Sequence, residues 1–350
     1  RFYTYISWIG GKSMWRAGCK WIFLIMGTMI GAGYASGREL WQFFGEESGL
    51  AIFLFSIIFA ISCNVIMQIS YRYRTNQFYP VLIELIGKRW AAAYDVLIVF
   101  YLFTTTVIMI AGGGATLQMW HVPYWWGIGA LSAFIVFVFS RGLNGLLSIN
   151  SFVMPILMIG LAGVLLTFVL RHPGVTDWHL QHNWPAAFTY TALNILPLVA
   201  VLSTIGKEIK SKKEIYIASV GSGFLLGGLS FIYNESLIQV SGLLSSYEIP
   251  LFAILKDFPY TMLFLMSIVL LIAIYTTAVS GILGLTARFH TEKLQSLWKL
   301  AACWLLLMIT FTKLGFSTLI AVLYPMYGIV NLFLVTAVLL YPFRNRYKSS

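Results

Sequence analysis

The sequence predicts an all-α integral membrane protein of ten transmembrane helices, arranged as a 5+5 inverted repeat with discontinuous first and sixth helices. Three observations carry this. Apolar runs of about 20 residues, the length a helix needs to cross a bilayer, recur along the whole 350-residue chain. Only 10% of residues are charged and 59% are hydrophobic, whereas about a quarter of a soluble domain is charged. The basic residues fall between alternate apolar runs, as the positive-inside rule requires of cytoplasmic loops.

The spans are read in order. The first covers 18–45, the second 49–71, the third 91–117, the fourth 123–140 and the fifth 147–170. A polar loop, RHPGVTDWHLQHNW, follows. The sixth covers 185–206, the seventh 214–242, the eighth 259–287, the ninth 296–312 and the tenth 316–341. Short surface helices are expected near 79–87 and 249–257. Residues 1–17 read as a basic cytoplasmic lead-in, too polar and broken for a signal-peptide core, and 342–350 as a basic cytoplasmic tail. Between them lies one transmembrane domain, its repeats covering 18–170 and 185–341.

With the N-terminus in the cytoplasm, all 23 Lys and Arg residues except Arg38, Arg171, Lys256 and Lys313 lie on the inner side. An even span count returns the tail to that side. On a soluble protein the net charge of +11 would suggest nucleic acid; here it sets orientation, and no nucleic-acid partner is expected. The expected location is a bacterial plasma membrane, crossed many times. Oligomeric state is not legible. Cys19, Cys63 and Cys303 have neither metal-ligand spacing nor a disulfide framework.

The first span contains GTMIGAGYASGREL, an unusual run for a helix in lipid. Gly31, Gly33 and Gly37 lower helix propensity. Ser36 and Glu39 have the spacing of a capping box, a helix start signal in mid-span. The expectation is two half-helices, 18–31 and 37–46. The sixth span, TYTALNILPLVAV, places Asn194 and Pro197 near its middle, so a second half is expected to start near Ile195. Broken first and sixth spans of ten occupy equivalent places in two five-span halves. Because five is odd, the second half is inverted, a pattern that points to a transporter site.

Ten spans, the glycine run of the first and a broken sixth resemble the amino acid–polyamine–organocation superfamily with the LeuT-type fold, and more closely the YkvI-like bacterial membrane proteins. The resemblance covers nearly the whole chain. It implies a site between the first, third, sixth and eighth spans and alternating access around it. It also implies a sodium site, with the carbonyls of Gly27 and Ile30 and the hydroxyls of Thr276 and Thr277 as ligands. A second sodium site of some relatives uses an asparagine where this chain has Tyr34, which puts that site in doubt.

A helix N-terminus offers free amides to a carboxylate, and the carbonyl ends of the first halves suit a cation or an amine. A zwitterion such as an amino acid matches both. The candidate solute ligands are Gly31, Ala32, Gly33 and Ser36, with Asn194 and Ile195 of the sixth span and Tyr101 and Thr105 of the third. Thr276 and Thr277 are hydroxyls deep in lipid, fit for a small hard cation such as Na⁺ or for back-bonding one turn earlier. Intramembrane carboxylates are the other route to coupling, so Glu235 and Glu39 are candidates for proton transfer. A capping role would account for Glu39 without proton chemistry.

The resulting expectation is a secondary active transporter of a small amphipathic solute, an amino acid first, coupled to Na⁺ and needing no other cofactor. The alternatives are an H⁺-coupled transporter and a ligand-sensing subunit like those of spore germinant receptors, which share this superfamily fold. An enzyme is disfavoured: no paired acids flank a nucleophile, and there is neither a metal cluster nor a phosphate loop.

Overall fold

The computed structural model describes residues 2–141, 146–172, 181–289 and 297–346. Asp177 and His179 of the polar loop and Lys348 of the tail lie outside the described residues. Every regular element among the described residues is helical.

The first span is built in three pieces: α1 (Phe2–Met29), α2 (Ala32–Ala35) and α3 (Arg38–Phe43). Because α1 begins at Phe2, the basic lead-in is continuous with the span. The chain leaves the helix at Ile30 and Gly31. There the Gly31 amide turns to the Met29 carbonyl at 2.9 Å, where a regular helix would send it to Gly27. The second interruption is at Gly37, whose φ of 78° lies in the left-handed region that glycine tolerates. A side chain there would also strike the Tyr233 hydroxyl, 2.7 Å from the Cβ position.

The break is present, but the capping box is not. The Ser36 hydroxyl donates to the Gly33 carbonyl at 2.7 Å and accepts from the Arg38 amide at 3.2 Å. The N-cap of α3 is Gly37, with no side-chain cap. The Ser36 amide donates to the Ala32 carbonyl, not to Glu39. With Gly37 left-handed, the backbone turns before Glu39 can fold back, and its carboxylate points elsewhere.

After α4 (Gly49–Tyr73), α5 (Phe78–Gln118) joins the expected short surface helix to the third span across Gly87, where φ is 81°. Then come α6 (Tyr124–Arg141), α7 (Leu146–Arg171) and α8 (Ala186–Leu202). The expected break in the sixth span is absent: α8 runs unbroken through Asn194 and Pro197. Asn194 is not an N-cap. Its side-chain amide donates back to the Tyr190 carbonyl at 2.9 Å, a bond that belongs to a helix interior. Pro197 lacks an N–H, and buried neighbours hold the helix around the missing bond.

The remaining elements are α9 (Lys212–Gln239), a 3-10 turn (Ser241–Ser246), α10 (Pro250–Leu255), α11 (Tyr260–Phe289), α12 (Leu297–Phe311), a second 3-10 turn (Thr312–Leu314), α13 (Phe316–Val330) and α14 (Leu332–Arg346). Among the described residues, five segments are long and apolar enough to cross a membrane: Gly49–Tyr73, Phe78–Gln118, Lys212–Gln239, Tyr260–Thr286 and Phe316–Arg344. Shorter apolar helices cover Tyr124–Ser140, Pro155–Arg171 and Ala186–Leu202.

Small residues set the closest helix contacts, as expected in lipid, where close packing replaces the hydrophobic effect. Gly223 and Gly227 of α9 lie against α4. A Cβ on Gly223 would come within 2.8 Å of Ala60, and one on Gly227 within 2.6 Å of Ser56. The Ser56 hydroxyl donates to the Gly223 carbonyl across this contact at 2.7 Å. At the basic face, Arg288 of α11 pairs with Asp95 of α5.

A central cavity at the helix break

A cavity of about 320 Å³ lies beside the break between α1 and α2. The first span, α5, α8, α11 and α13 meet there. The first span brings Thr28, Met29, Gly31, Ala32, Gly33 and Glu39; α5 brings Tyr101, Thr105 and Met109; α8 brings Asn194 and Pro197; and α11 brings Thr277, Ser280 and Gly281. Tyr324, from α13, completes the wall.

Glu39 is the charged group of this cavity. It is 6% exposed, and none of the lining residues is Lys, Arg or His. A buried carboxylate is costly unless hydrogen bonds or a counter-charge compensate it. The Tyr190 hydroxyl donates to its Oε1 at 3.0 Å. Its Oε2 lies 2.6 Å from where a Cβ on Gly33 would stand, and the Tyr324 hydroxyl lies 3.1 Å from the same point. Glycine at position 33 therefore lets the carboxylate approach the backbone of α2. Phe43, Phe44 and Phe55 surround the Tyr190 ring, with centroids 4.8–5.3 Å away, and fix that donor.

On one side the cavity continues into a vestibule of about 730 Å³. Thr28, Gly31, Val201, Thr277 and Ser280 line both spaces. The vestibule reaches Gly27 and ends at Lys20 and Glu208, which pair at 2.9 Å on the basic face. On the other side the site is covered. The Leu251 amide of buried α10 donates to the Ser36 carbonyl at 2.9 Å. Arg38 donates to the carbonyls of Tyr247 and Glu248, and the Glu248 carboxylate accepts from the Ser317 amide at 2.8 Å.

Most of the solute ligands expected from sequence meet here: Gly31, Ala32, Gly33, Tyr101, Thr105 and Asn194 all line the cavity. Ser36 and Ile195 do not. Ser36 is used within the break, and Ile195 is buried on α8 with no exposed surface. Of the expected sodium ligands, Gly27 lines the vestibule and Thr277 lines both spaces. The hydroxyls of Thr276 and Thr277 donate to the Ala273 carbonyl at 3.1 and 2.8 Å. Thr276 is buried off the cavity, and Ile30 is fully buried. Glu235 is buried on α9, away from the cavity, beside Asn234, whose amide holds Gly45 and Ser48. Tyr34, at the position aligned with the asparagine of some relatives, is fully buried and bonded to Ser230 at 2.9 Å.

Sequence reasoning missed Tyr324, Tyr190, Thr28 and Ser280. The one signal for Tyr324 was Pro325 beside it, inside an apolar run.

No family model matches the chain. Two proteins of Bacillus subtilis (strain 168) do. The uncharacterized protein YyaD is 50% identical over 337 residues, covering 96% of this chain and 100% of its own length. The uncharacterized membrane protein YkvI is 27% identical over 331 residues, 91% of this chain and 94% of its own. Among solved structures, the inward-facing conformation of Mhp1 aligns with a TM-score of 0.55 at 12% identity, covering 93% of this chain and 75% of that one. The manganese transporter of Eremococcus coleocola aligns at 0.51 and 13%, covering 87% and 71%. The chain is a multi-pass membrane protein that belongs to the family of YyaD and YkvI and carries the LeuT-type fold.

Proposed function

We propose that this protein is a secondary transporter that moves a small solute bearing an ammonium group by alternating access, with Glu39 as the counter-charge. The carrying observation is the central cavity: one buried carboxylate, no basic side chain among its lining, open toward one face and covered on the other. Its volume of about 320 Å³ suits a small organic molecule. The rings of Tyr101 and Tyr324 add faces on which a cation is attracted. In this reading the chain crosses ten times in two inverted five-span halves. The basic face is cytoplasmic, so the cavity is open inward.

An amino acid remains the first solute to test, its amine toward Glu39 and its carboxylate toward the amides of Ala32 and Gly33. The unbroken α8 removes the second amide cluster expected for that carboxylate, so cationic amines stand beside amino acids in the panel. Manganese, the cargo in the name of one structural neighbour, suits the site less. A single carboxylate lines the cavity, and no group of three His, Cys, Asp or Glu assembles among the described residues.

Na⁺ is the proposed coupling ion, between the carbonyls of Gly27 and Ile30 and the hydroxyl of Thr277, with Thr28 and Ser280 close by. The Gly31 amide turns to Met29, and that turn supports this reading because it takes away the usual helical partner of the Gly27 carbonyl. A second reading is proton coupling at Glu39. It is favoured by the loss of the capping role, which leaves that carboxyl facing the cavity.

The test is thermal stability of the purified protein against amino acids, amines and matched neutral or anionic analogues, in Na⁺ and in K⁺ buffer. A ligand that binds only the folded state raises the apparent melting temperature. Stabilisation by ammonium compounds that Glu39→Gln abolishes supports the proposal. Stabilisation by neutral or anionic compounds alone, unchanged in Glu39→Gln, overturns it.

A further inference from the structure

Two grooves lie on the outer surface at the basic end of α4 and α9. Asn64, Gln68 and Arg72 stand at every fourth residue of α4, forming a polar row where an apolar row would serve acyl chains better. Two adjoining grooves of about 600 and 710 Å³ run along this row, and both are lined by Asn64, Gln68 and Lys212. Lys213 closes one and Arg72 the other, and no carboxylate lines either. The nearby acids are engaged elsewhere: Glu214 is buried against the Trp21 indole at 3.3 Å, and Glu208 pairs with Lys20.

The row is also graded in depth. Successive members are about 6 Å apart along the helix axis. Gln68 therefore stands one turn from Arg72 and Asn64 two turns, with Lys212 lining both grooves beside the row. Gln68 bonds to Asn64, and Asn64 donates to Ser219 of α9 at 3.1 Å, so the amides are positioned between the two helices. The floor below is apolar, with Ile61 and Val65. At the rim Trp15 and Tyr216 are 63% and 65% exposed, as interfacial aromatic anchors are.

The geometry points to a binding site for an anionic phospholipid. Arg72 and Lys212 hold the phosphate, Gln68 meets the glycerol esters, and an acyl chain lies in the groove between α4 and α9. By the positive-inside rule this lipid belongs to the cytoplasmic leaflet, where juxtamembrane basic residues attract anionic headgroups.

The experiment is native mass spectrometry of the full chain in detergent with equal amounts of phosphatidylglycerol and phosphatidylcholine. Wild type is expected to retain phosphatidylglycerol about ten-fold over phosphatidylcholine, and Arg72→Gln with Lys212→Gln to bring the two to parity. Glycerol phosphate at the same concentration is expected not to displace the lipid. Equal retention in wild type, a preference that survives the double variant, or displacement by glycerol phosphate as efficient as by lipid each overturns the proposal. Should the double variant fail to fold, Lys212→Gln alone is read the same way: a reduced preference supports the site and an unchanged one overturns it.

Discussion

The hydroxyl of Tyr190 donates to the carboxylate of Glu39 at 3.0 Å, across 151 positions of sequence. This bond ties α8 to the broken first span and aims the single carboxylate of the cavity. Because Glu39 caps no helix, replacing it tests the site with little effect on local helix geometry. Glu39→Gln keeps an oxygen for Tyr190 and removes the charge. The expected result is a folded protein whose affinity for ammonium solutes falls about ten-fold or more, equivalent to about 1.4 kcal/mol, measured by titration of the melting shift.

Gly33 and Gly31 make a paired prediction. A Cβ at Gly33 meets Glu39 Oε2 at 2.6 Å, whereas a Cβ at Gly31 meets nothing within 4 Å. Gly33→Ala is expected to cost about 1–3 kcal/mol and to displace the carboxylate. Gly31→Ala, at φ −84°, is expected to stay within about 0.5 kcal/mol of wild type. Denaturation of the two variants side by side checks this, and equal losses would contradict the close approach.

Arg38 seals the covered side by donating to the carbonyls of Tyr247 and Glu248. Arg38→Gln loses that fork and leaves the part-buried Tyr247 carbonyl unmet, a cost of about 1–3 kcal/mol. Hydrogen exchange is expected to quicken over 241–255 and not at the Lys20–Glu208 end. Arg38→Lys is expected to rescue only in part, because one ammonium cannot reproduce the planar fork.

The sodium reading separates two adjacent threonines. Thr277 lines both the cavity and the vestibule, while Thr276 is buried off them. If Na⁺ binds there, the melting shift of Na⁺ over K⁺ is expected to vanish in Thr277→Ala and to persist, at reduced size, in Thr276→Ala. No Na⁺ shift in wild type would exclude the sodium site and leave Glu39 as the coupling group, to be tested by solute-driven proton uptake in proteoliposomes.

The sequence by itself determined that this is a helical membrane protein, where its apolar helices run, and that the first of them breaks near Gly31 and Gly37. These features are local. Hydropathy over about 20 residues and the backbone preferences of glycine need no distant partner to be read. Only the tertiary structure decided which way Glu39 points, whether α8 breaks, and which side chain completes the cavity. The capping box failed because Ser36 found a nearer acceptor in Gly33 and Gly37 turned left-handed. The break at Asn194 failed because its side chain bonds back along the helix and the surrounding core holds Pro197 in line. Tyr324 joined the site from 285 positions beyond Glu39, through packing that no local pattern records. Carboxylate direction and helix continuity in a membrane core depend on which distant groups satisfy the polar atoms, and only the assembled fold supplies them.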